Sequence, residues 1–236
     1  MSVDPMWEKY VGMSPYNYCA GNPVKFVDKK GEDVFLSFQN DEVREHFLVL
    51  VNNMLESSSN AIELLETYDT YIGLSYKVIF RNPQNESYTS NRSSRLYSEL
   101  KSIVDDDAIA RINVVSDDPE VTVGSFTSST IDILDISEFD KTGDMGASSA
   151  ATLIHELREQ LEKGRLGLFP GEGNARQYYR CHGKAVVSEN GVDRKNRIDL
   201  PGNDYTLFSE PNGKQTRQYI YENDENCFTV EKKTNE

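Results

Sequence analysis

The sequence predicts an α+β fold in which helices pack on a small, mostly antiparallel sheet. Two stretches, 147–162 and 175–190, carry apolar residues at helical spacing. Several short runs, such as 71–80 and 108–115, are rich in β-branched and aromatic residues, as strands are. With 236 residues, of which 37% are hydrophobic, the chain suits one sizeable domain or a domain with a short appendage.

The composition argues against several classes of protein. A net charge of −14 repels phosphate backbones, so we expect no nucleic-acid partner. No apolar run approaches the roughly 18 residues of a membrane helix, and no signal peptide follows Met1, so neither a membrane span nor secretion by this fragment alone is expected. The 3 cysteines are far apart, which favours buried thiols over a disulfide scaffold or a Cys-based zinc site.

The first half of the chain after residue 33 alternates short elements. Residues 34–40 predict a strand, and Asn40 or Asp41 can cap a helix that runs to about Ser57. The elements then predicted are a short helix at 61–68, a strand at 71–80, a surface loop at 81–94, and a segment at 97–104 that is either helix or strand. Three further strands are predicted at 108–115, 121–126 and 131–136.

The second half is built around the two helices. A glycine-rich loop at 164–173 separates them, with Gly164 expected to end the first helix. Asn174 can cap the second helix, which runs to about Asn190 before Gly191. A hairpin is predicted beyond it, with strands at 206–208 and 218–221 around a turn at 211–214, and residues 231–236 are expected to form a frayed, charged tail.

The first of these helices carries a candidate metal site. His155 and Glu159 are four residues apart and therefore project from one helix face, with Glu156 beside them. Two ligands one turn apart can grip one ion, and a neighbouring glutamate can take a proton from water. The zinc-peptidase pattern His-Glu-x-x-His appears here as His-Glu-Leu-Arg-Glu, in which a carboxylate, itself an ordinary zinc ligand, replaces the second histidine. The alternative is a solvated helix with one partly buried histidine.

The second helix offers a third ligand. Because a short loop favours antiparallel packing, His182 can reach an ion held by His155 and Glu159. Two histidines and one carboxylate would leave one coordination position open. Glu189, two turns after His182, is either a hydrogen-bond partner of a ligand, a substitute ligand, or a helix-end acid paired with Arg194.

Other candidate residues have simpler interpretations. His46 lies on the predicted helix after 34–40 without a second ligand at useful spacing, so we expect a partly exposed histidine. Tyr178 and Tyr179 are expected to be packing residues, although one of them could stabilise an oxyanion.

Residues 1–33 differ from the rest of the chain and carry a family resemblance. Val3-Asp4-Pro5, then Ser-Pro-Tyr-Asn-Tyr at 14–18 and Asn22-Pro23-Val24 resemble the end of the core segment of Rhs/YD-repeat proteins. The resemblance implies a large β-shell protein whose variable C-terminal tip is usually a toxin. Residues 1–33 would then be an extended stub of that core and 34–236 the effector domain.

A second, less specific resemblance covers 132–197, within the motif region 131–200. This stretch is similar to metallopeptidase-like toxin domains of such tips, which have an apolar strand, then His-Glu-x-x-His or Glu, then a later helix ending in Glu-Asn with a nearby arginine, here Arg194. It implies a zincin-like hydrolase in which His155, Glu159 and His182 bind Zn²⁺ and Glu156 is the base.

The resemblances also imply partners and a location. The substrate would be a protein of a competitor or host cell, a cognate immunity protein would bind the domain, and the rest of the shell would deliver it as part of a larger secreted or cell-surface toxin. The alternative function is a non-catalytic or degenerate tip that acts as a binding module, in which His155 and His182 are structural.

Overall fold

A computed structural model describes residues 34–56, 61–81, 90–141, 143, 145–222 and 228–234 of the chain. These residues belong to one compact unit, Asp33–Glu236, and form helices packed against two sheets. The predicted α+β class is confirmed. The stretch that resembles an Rhs core, 1–33, lies outside the described residues.

The bounds of the elements are as follows. The helices are α1 (Asp41–Met54), α2 (Asn91–Val104), α3 (Ile133–Glu138), α4 (Ser149–Arg165) and α5 (Ala175–Asp193). The strands are β1 (Val34–Phe38), β2 (Ile62–Asp69), β3 (Gly73–Phe80), β4 (Ala110–Val115), β5 (Gly124–Ser125), β6 (Thr130–Asp132), β7 (Asn196–Asp199), β8 (Tyr205–Ser209), β9 (Gln215–Glu222) and β10 (Phe228–Thr234).

The larger sheet has six strands in the order β2-β3-β1-β4-β6-β5. It is mixed, since β1 pairs parallel with β4 and β4 parallel with β6, while its other pairs are antiparallel. The smaller sheet, β10-β9-β8-β7, is antiparallel throughout. The expectation of one small sheet is therefore corrected, since the described residues form two sheets. Six of the eight strand pairs are antiparallel, as expected. Helices α1 and α2 lie between β1 and β4 in the chain and provide the long connection that this parallel pair requires.

Helix α4 packs closely on the larger sheet. Most of its residues are buried, including Leu153, Leu157 and Leu161. It continues through Gly164 to Arg165, so the prediction that Gly164 ends it is wrong. A β-carbon at Gly164 would lie only 2.0 Å from the carbonyl oxygen of Ile109, directly before β4. Glycine is needed there for the close approach of helix and strand.

Several local predictions are corrected by tertiary contacts. Residues 61–68 are predicted to form a short helix, yet β2 pairs along its whole length with β3. The strand predicted at 131–136 ends at Asp132, whose side chain accepts hydrogen bonds from the backbone of Leu134 and Asp135 and so starts α3. The undecided segment 97–104 is helical, and of 121–126 only Gly124–Ser125 forms a strand.

The expected frayed tail is also wrong for 231–234, which belong to β10. Lys232 in this strand is 8% exposed, and its ammonium donates to the carbonyl oxygens of Phe139 (2.6 Å) and Ala147 (2.9 Å). Next to it on β9, the Gln218 side chain accepts from the backbone N–H of Ala147 at 2.9 Å. The smaller sheet is thereby tied to the start of α4. Among the described helices, none is long and apolar enough to cross a membrane.

Candidate metal centre

Helices α4 and α5 are antiparallel neighbours that position the candidate ligands. Ser148 caps α4, and its backbone N–H and hydroxyl donate to the Asp193 carboxylate at the end of α5, at 2.7 and 2.9 Å. Further along the pair, Glu159 of α4 meets His182 of α5. The short connection between the helices, with Asn174 as the N-cap of α5, allows this arrangement.

Three ligand atoms converge between these helices. His155 Nε2 lies 3.1 Å from His182 Nδ1 and 3.8 Å from Glu159 Oε2, and His182 Nδ1 lies 3.1 Å from the same oxygen. His155 and Glu159 are buried, at 4% and 3% exposure, and His182 is partly buried. In a tetrahedral zinc site with bonds of about 2.1 Å, the ligand atoms lie about 3.4 Å apart. The three distances measured here lie on either side of that value. The group could hold a metal ion.

The other ring nitrogen of each histidine is held by a carboxylate. His155 Nδ1–H donates to Glu189 Oε2 at 2.7 Å, and His182 Nε2–H donates to Asp199 Oδ2 at 2.9 Å. These bonds fix the tautomers so that both lone pairs point into the three-ligand group. Two lone pairs at 3.1 Å repel one another unless a proton or a cation lies between them. The group could therefore hold either a proton or a cation.

In the metal-free protein a proton can serve this purpose. Burial lowers the pKa of His182, but its hydrogen bonds to Asp199 and Glu159 outweigh burial and raise the pKa to about 9. Burial alone would raise the pKa of the Glu189 carboxyl group, but Arg197 and His155 hold that pKa below its usual value. Glu189 is thus an ionised partner of His155.

Arg197 of β7 joins the two carboxylates. Its Nη1 donates to Glu189 Oε2 and its Nε to Asp199 Oδ1, both at 2.8 Å. A continuous series of hydrogen bonds therefore runs from His155 through Glu189, Arg197 and Asp199 to His182. It links the helix pair to the smaller sheet and orients both rings.

Glu156 faces the same site from the side of the larger sheet. A β-carbon on Gly124 of β5 would lie 2.0 Å from Glu156 Oε2, so the carboxyl group rests against the glycine backbone of the edge strand. Burial, followed by the charge of Glu159, raises the pKa of Glu156 to about 7 although His155 lowers it. A carboxyl group with that pKa can both take and return a proton near neutral pH.

A cavity of about 220 Å³ contains these groups. Its walls include Phe126 and Tyr178, whose rings meet edge-on with centroids 5.6 Å apart, and Ile220 of the smaller sheet. The Tyr178 hydroxyl lies 3.3 Å from His182 Nδ1, and burial with the nearby Glu159 and Glu156 charges raises its pKa to about 12. Tyr178 therefore stays a neutral hydroxyl that can donate a hydrogen bond.

Two buried oxygen atoms of the cavity walls have no hydrogen-bond partner among the described residues. They are Thr152 Oγ1 on α4 and Glu189 Oε1 on α5, in residues that are 6% and 2% exposed.

Comparisons with protein families, with curated proteins and with solved structures find no match to this chain. The interpretation of the site therefore rests on its own geometry.

The structure brings together His155, Glu156, Glu159 and His182, the residues that the sequence singled out. It places Glu189 Oε2 on Nδ1 of His155, the position of a hydrogen-bond partner of a ligand, and the ion-pair partner of Glu189 is Arg197 rather than Arg194. Arg194 instead follows α5 with a φ of +55°. Arg197 and Asp199 were not predicted as site residues. Their spacing of two residues, which puts both side chains on one face of a strand, could have indicated that they act together.

Proposed function

We propose that residues 34–236 form a zinc-dependent peptidase-like effector domain, the tip of an Rhs-type bacterial toxin that hydrolyses a protein of a competitor or host cell. One observation carries the chemical part: two histidine lone pairs and one carboxylate oxygen converge within 4.8 Å of one another, while carboxylates hold both outer nitrogens. The toxin context and the delivery by a larger secreted or cell-surface protein are supported by the resemblance of residues 1–33 to an Rhs core. A zincin-like arrangement is part of the same proposal.

In this proposal His155, Glu159 and His182 hold the zinc ion, and Asp199 and Glu189 orient the two imidazoles. Zinc, when bound, supplies a Lewis acid that polarises a carbonyl group and acidifies water. Glu156, which faces the same cavity as the three ligands, would accept the proton of the attacking water and transfer it to the departing amine. Tyr178 can donate a hydrogen bond to the oxygen on which negative charge develops.

The unusual ligand order has a chemical rationale. The helix motif has Glu159 where the familiar peptidase pattern has histidine, and α5 contributes a histidine, so the set of two histidines and one carboxylate is complete. A site of this composition keeps one position free for water and substrate. This favours a competent site over a degenerate tip that acts only as a binding module.

The test is the zinc content of the purified domain, wild type beside single alanine variants. The chain has 3 histidines, which provides a matched control. We expect about one zinc per chain in the wild type and in His46→Ala, whose residue lies on α1, and none in His155→Ala or His182→Ala. Circular dichroism checks that each variant is folded.

Absence of zinc from the wild type, even after zinc is added back, would overturn the proposal and leave the binding module. If zinc binds as expected, cleavage of a peptide library by the wild type and its loss in Glu156→Gln test the hydrolase activity.

A further inference from the structure

Strand β2 forms an unprotected edge of the larger sheet. It comes first in the strand order and pairs with β3 in unbroken register from Ile62 to Asp69, a run of 8 residues. The other edges of the two described sheets are β5 with 2 residues, β7 with 4, and β10 with 7, two of which are lysines. Proteins usually prevent pairing at an edge with a short strand, a lysine, a proline or a bulge. Strand β2 has none of these features.

Every second residue of β2 turns its backbone groups away from β3. The Arg81 N–H donates to the Ala61 carbonyl oxygen at 3.0 Å, one position outside the first pair of the ladder. Antiparallel pairs alternate between those that exchange hydrogen bonds and those that do not, so the backbone groups of Ile62 face the sheet edge. The side chain of Asn52 on α1 accepts from the Ile62 N–H at 3.1 Å and donates to the Ile62 carbonyl oxygen at 3.3 Å. Asn52 therefore occupies the place that a further strand of the sheet would take.

Three further residues offer the same backbone groups without a partner. By the same alternation Leu64, Glu66 and Tyr68 face the edge, and none of their outward N–H and C=O groups has a hydrogen-bond partner among the described residues. The edge is open to solvent, since Leu65 is 53% and Tyr68 73% exposed. A row of such groups is a template for an added strand.

The side of β2 that faces α1 is acidic. Glu66 lies opposite Tyr76 in the ladder, and the Tyr76 hydroxyl accepts a hydrogen bond from Arg44 of α1 at 2.9 Å. The Arg44 guanidinium also contacts the carboxylates of Asp41 at 2.7 Å and Glu45 at 3.4 Å. These two acids already outnumber the arginine, and the exposed Glu66 carboxylate has no ion-pair partner among the described residues. A strand added here therefore meets net negative charge on this side.

We infer that β2 binds an extended segment of a partner protein by strand addition, and that this segment carries lysine or arginine on the side facing α1. A side chain directly opposite Glu66 lies on the same face of the sheet, where an opposite charge stabilises the pair and a like charge destabilises it. A second copy of this chain is disfavoured, because antiparallel pairing centred on the three outward residues places Glu66 opposite Glu66. The inference goes beyond the proposed function, since Glu156 lies against β5 at the opposite edge of the sheet.

The experiment measures binding of capped peptides to the protein by NMR of its backbone amides. The probe is Thr-Lys-Val-Lys-Val-Lys-Thr, whose lysines all fall on one face of a strand. The controls are the same peptide with glutamate in place of each lysine, and a peptide of the same composition in which the lysines are consecutive. We expect the probe to bind at least about tenfold more tightly than either control, and to protect the amides of Leu64, Glu66 and Tyr68 from hydrogen exchange.

Variants of Glu66 separate the backbone pairing from the charge. Glu66→Gln should weaken binding of the probe about twofold to fivefold, the effect of one cross-strand charge pair. Glu66→Pro also removes an outward N–H and should weaken binding at least about tenfold. Proline is tolerated in an edge strand where its nitrogen faces solvent, and continued protection of the Leu65 amide, which faces β3, checks that the hairpin is intact.

Glu63→Gln is the matched control for the loss of one charge from the same strand. The backbone groups of Glu63 face β3, and its carboxylate already accepts a hydrogen bond from Arg81 Nε at 2.6 Å. This variant should bind the probe as the wild type does.

Equal binding of the probe and the peptide with consecutive lysines, or an unchanged affinity in Glu66→Pro, would overturn the inference, because binding would then follow net charge alone. Protection of amides elsewhere than at the outward residues of β2 would do the same. A wild-type dimer that Glu66→Pro abolishes would assign the edge to a second copy of the chain instead. None of these measurements involves zinc, so the proposed function is tested separately.

Discussion

Substituting alanine for Gly164 should destabilise the protein, contrary to the usual effect of such a change in a helix. Ala normally stabilises a helix interior over Gly by about 0.5–1 kcal/mol. Here the new β-carbon would lie 2.0 Å from the Ile109 carbonyl oxygen and 2.8 Å from its carbon. Those are backbone atoms next to β4, so α4 must move away from the sheet. Overpacking of this kind costs about 1–3 kcal/mol.

The net loss should be about 1–2 kcal/mol, which lowers the melting temperature of a domain of this size by roughly 2–8 °C. Two other helical glycines serve as controls in the same thermal unfolding assay. A β-carbon at Gly191 would lie 3.5 Å from its nearest neighbour, Glu99 Oε1, and one at Gly183 would meet nothing within 4 Å. Gly191→Ala and Gly183→Ala should leave the melting temperature unchanged or raise it. A Gly164→Ala variant as stable as these would refute the close packing of α4 on the sheet.

Three further predictions concern the site and a remote ion pair. Arg197→Met should weaken zinc binding about 10–100-fold, measured in competition with a chelating dye, because Glu189 and Asp199 lose the arginine that holds them against the two histidines. Arg217→Met, at an exposed position, is the control and should not change zinc binding. Gly124→Ala should keep full zinc content but reduce peptide cleavage at least about tenfold, because the new methyl group displaces the Glu156 carboxylate. Unchanged cleavage would argue against Glu156 as the base. Asp69 of β2 accepts hydrogen bonds from Arg111 Nε at 2.9 Å and from the backbone N–H groups of Tyr71 and Ile72. Asp69→Asn should therefore cost about 2 kcal/mol in urea unfolding at pH 7. Burial would raise the Asp69 pKa, but its arginine partner and two backbone N–H groups hold it below the usual value. Its contribution is therefore present above about pH 4 and is lost as the pH falls through the folded-state pKa, so wild type and variant should converge at low pH.

Local patterns in the sequence predicted the parts of the site that are themselves local. The spacing of His155 and Glu159 places both on one helix face whatever the fold, and a short loop brings the second helix alongside. Arg197 and Asp199 could not be found in this way, because they come from a strand of the smaller sheet. Their contacts depend on how that sheet packs against the helices.

The errors in secondary structure have a common cause. Residues of β2 have helical preferences that lose to eight paired positions with β3. The tail at 231–234 looks solvated because it is charged, yet the buried ammonium of Lys232 finds carbonyl acceptors in the loop before α4. In both cases partners distant in sequence decide the outcome, and their identity is not encoded in any short window.

The bond from Lys232 to Ala147 has a consequence for biosynthesis. The carbonyl groups that Lys232 satisfies lie just before the helix of His155, but β10 is the last of the described strands to leave the ribosome. Domains that emerge residue by residue begin to fold from their N-terminal part. The larger sheet can therefore assemble early, while the start of α4 lacks its anchor until translation has passed residue 232.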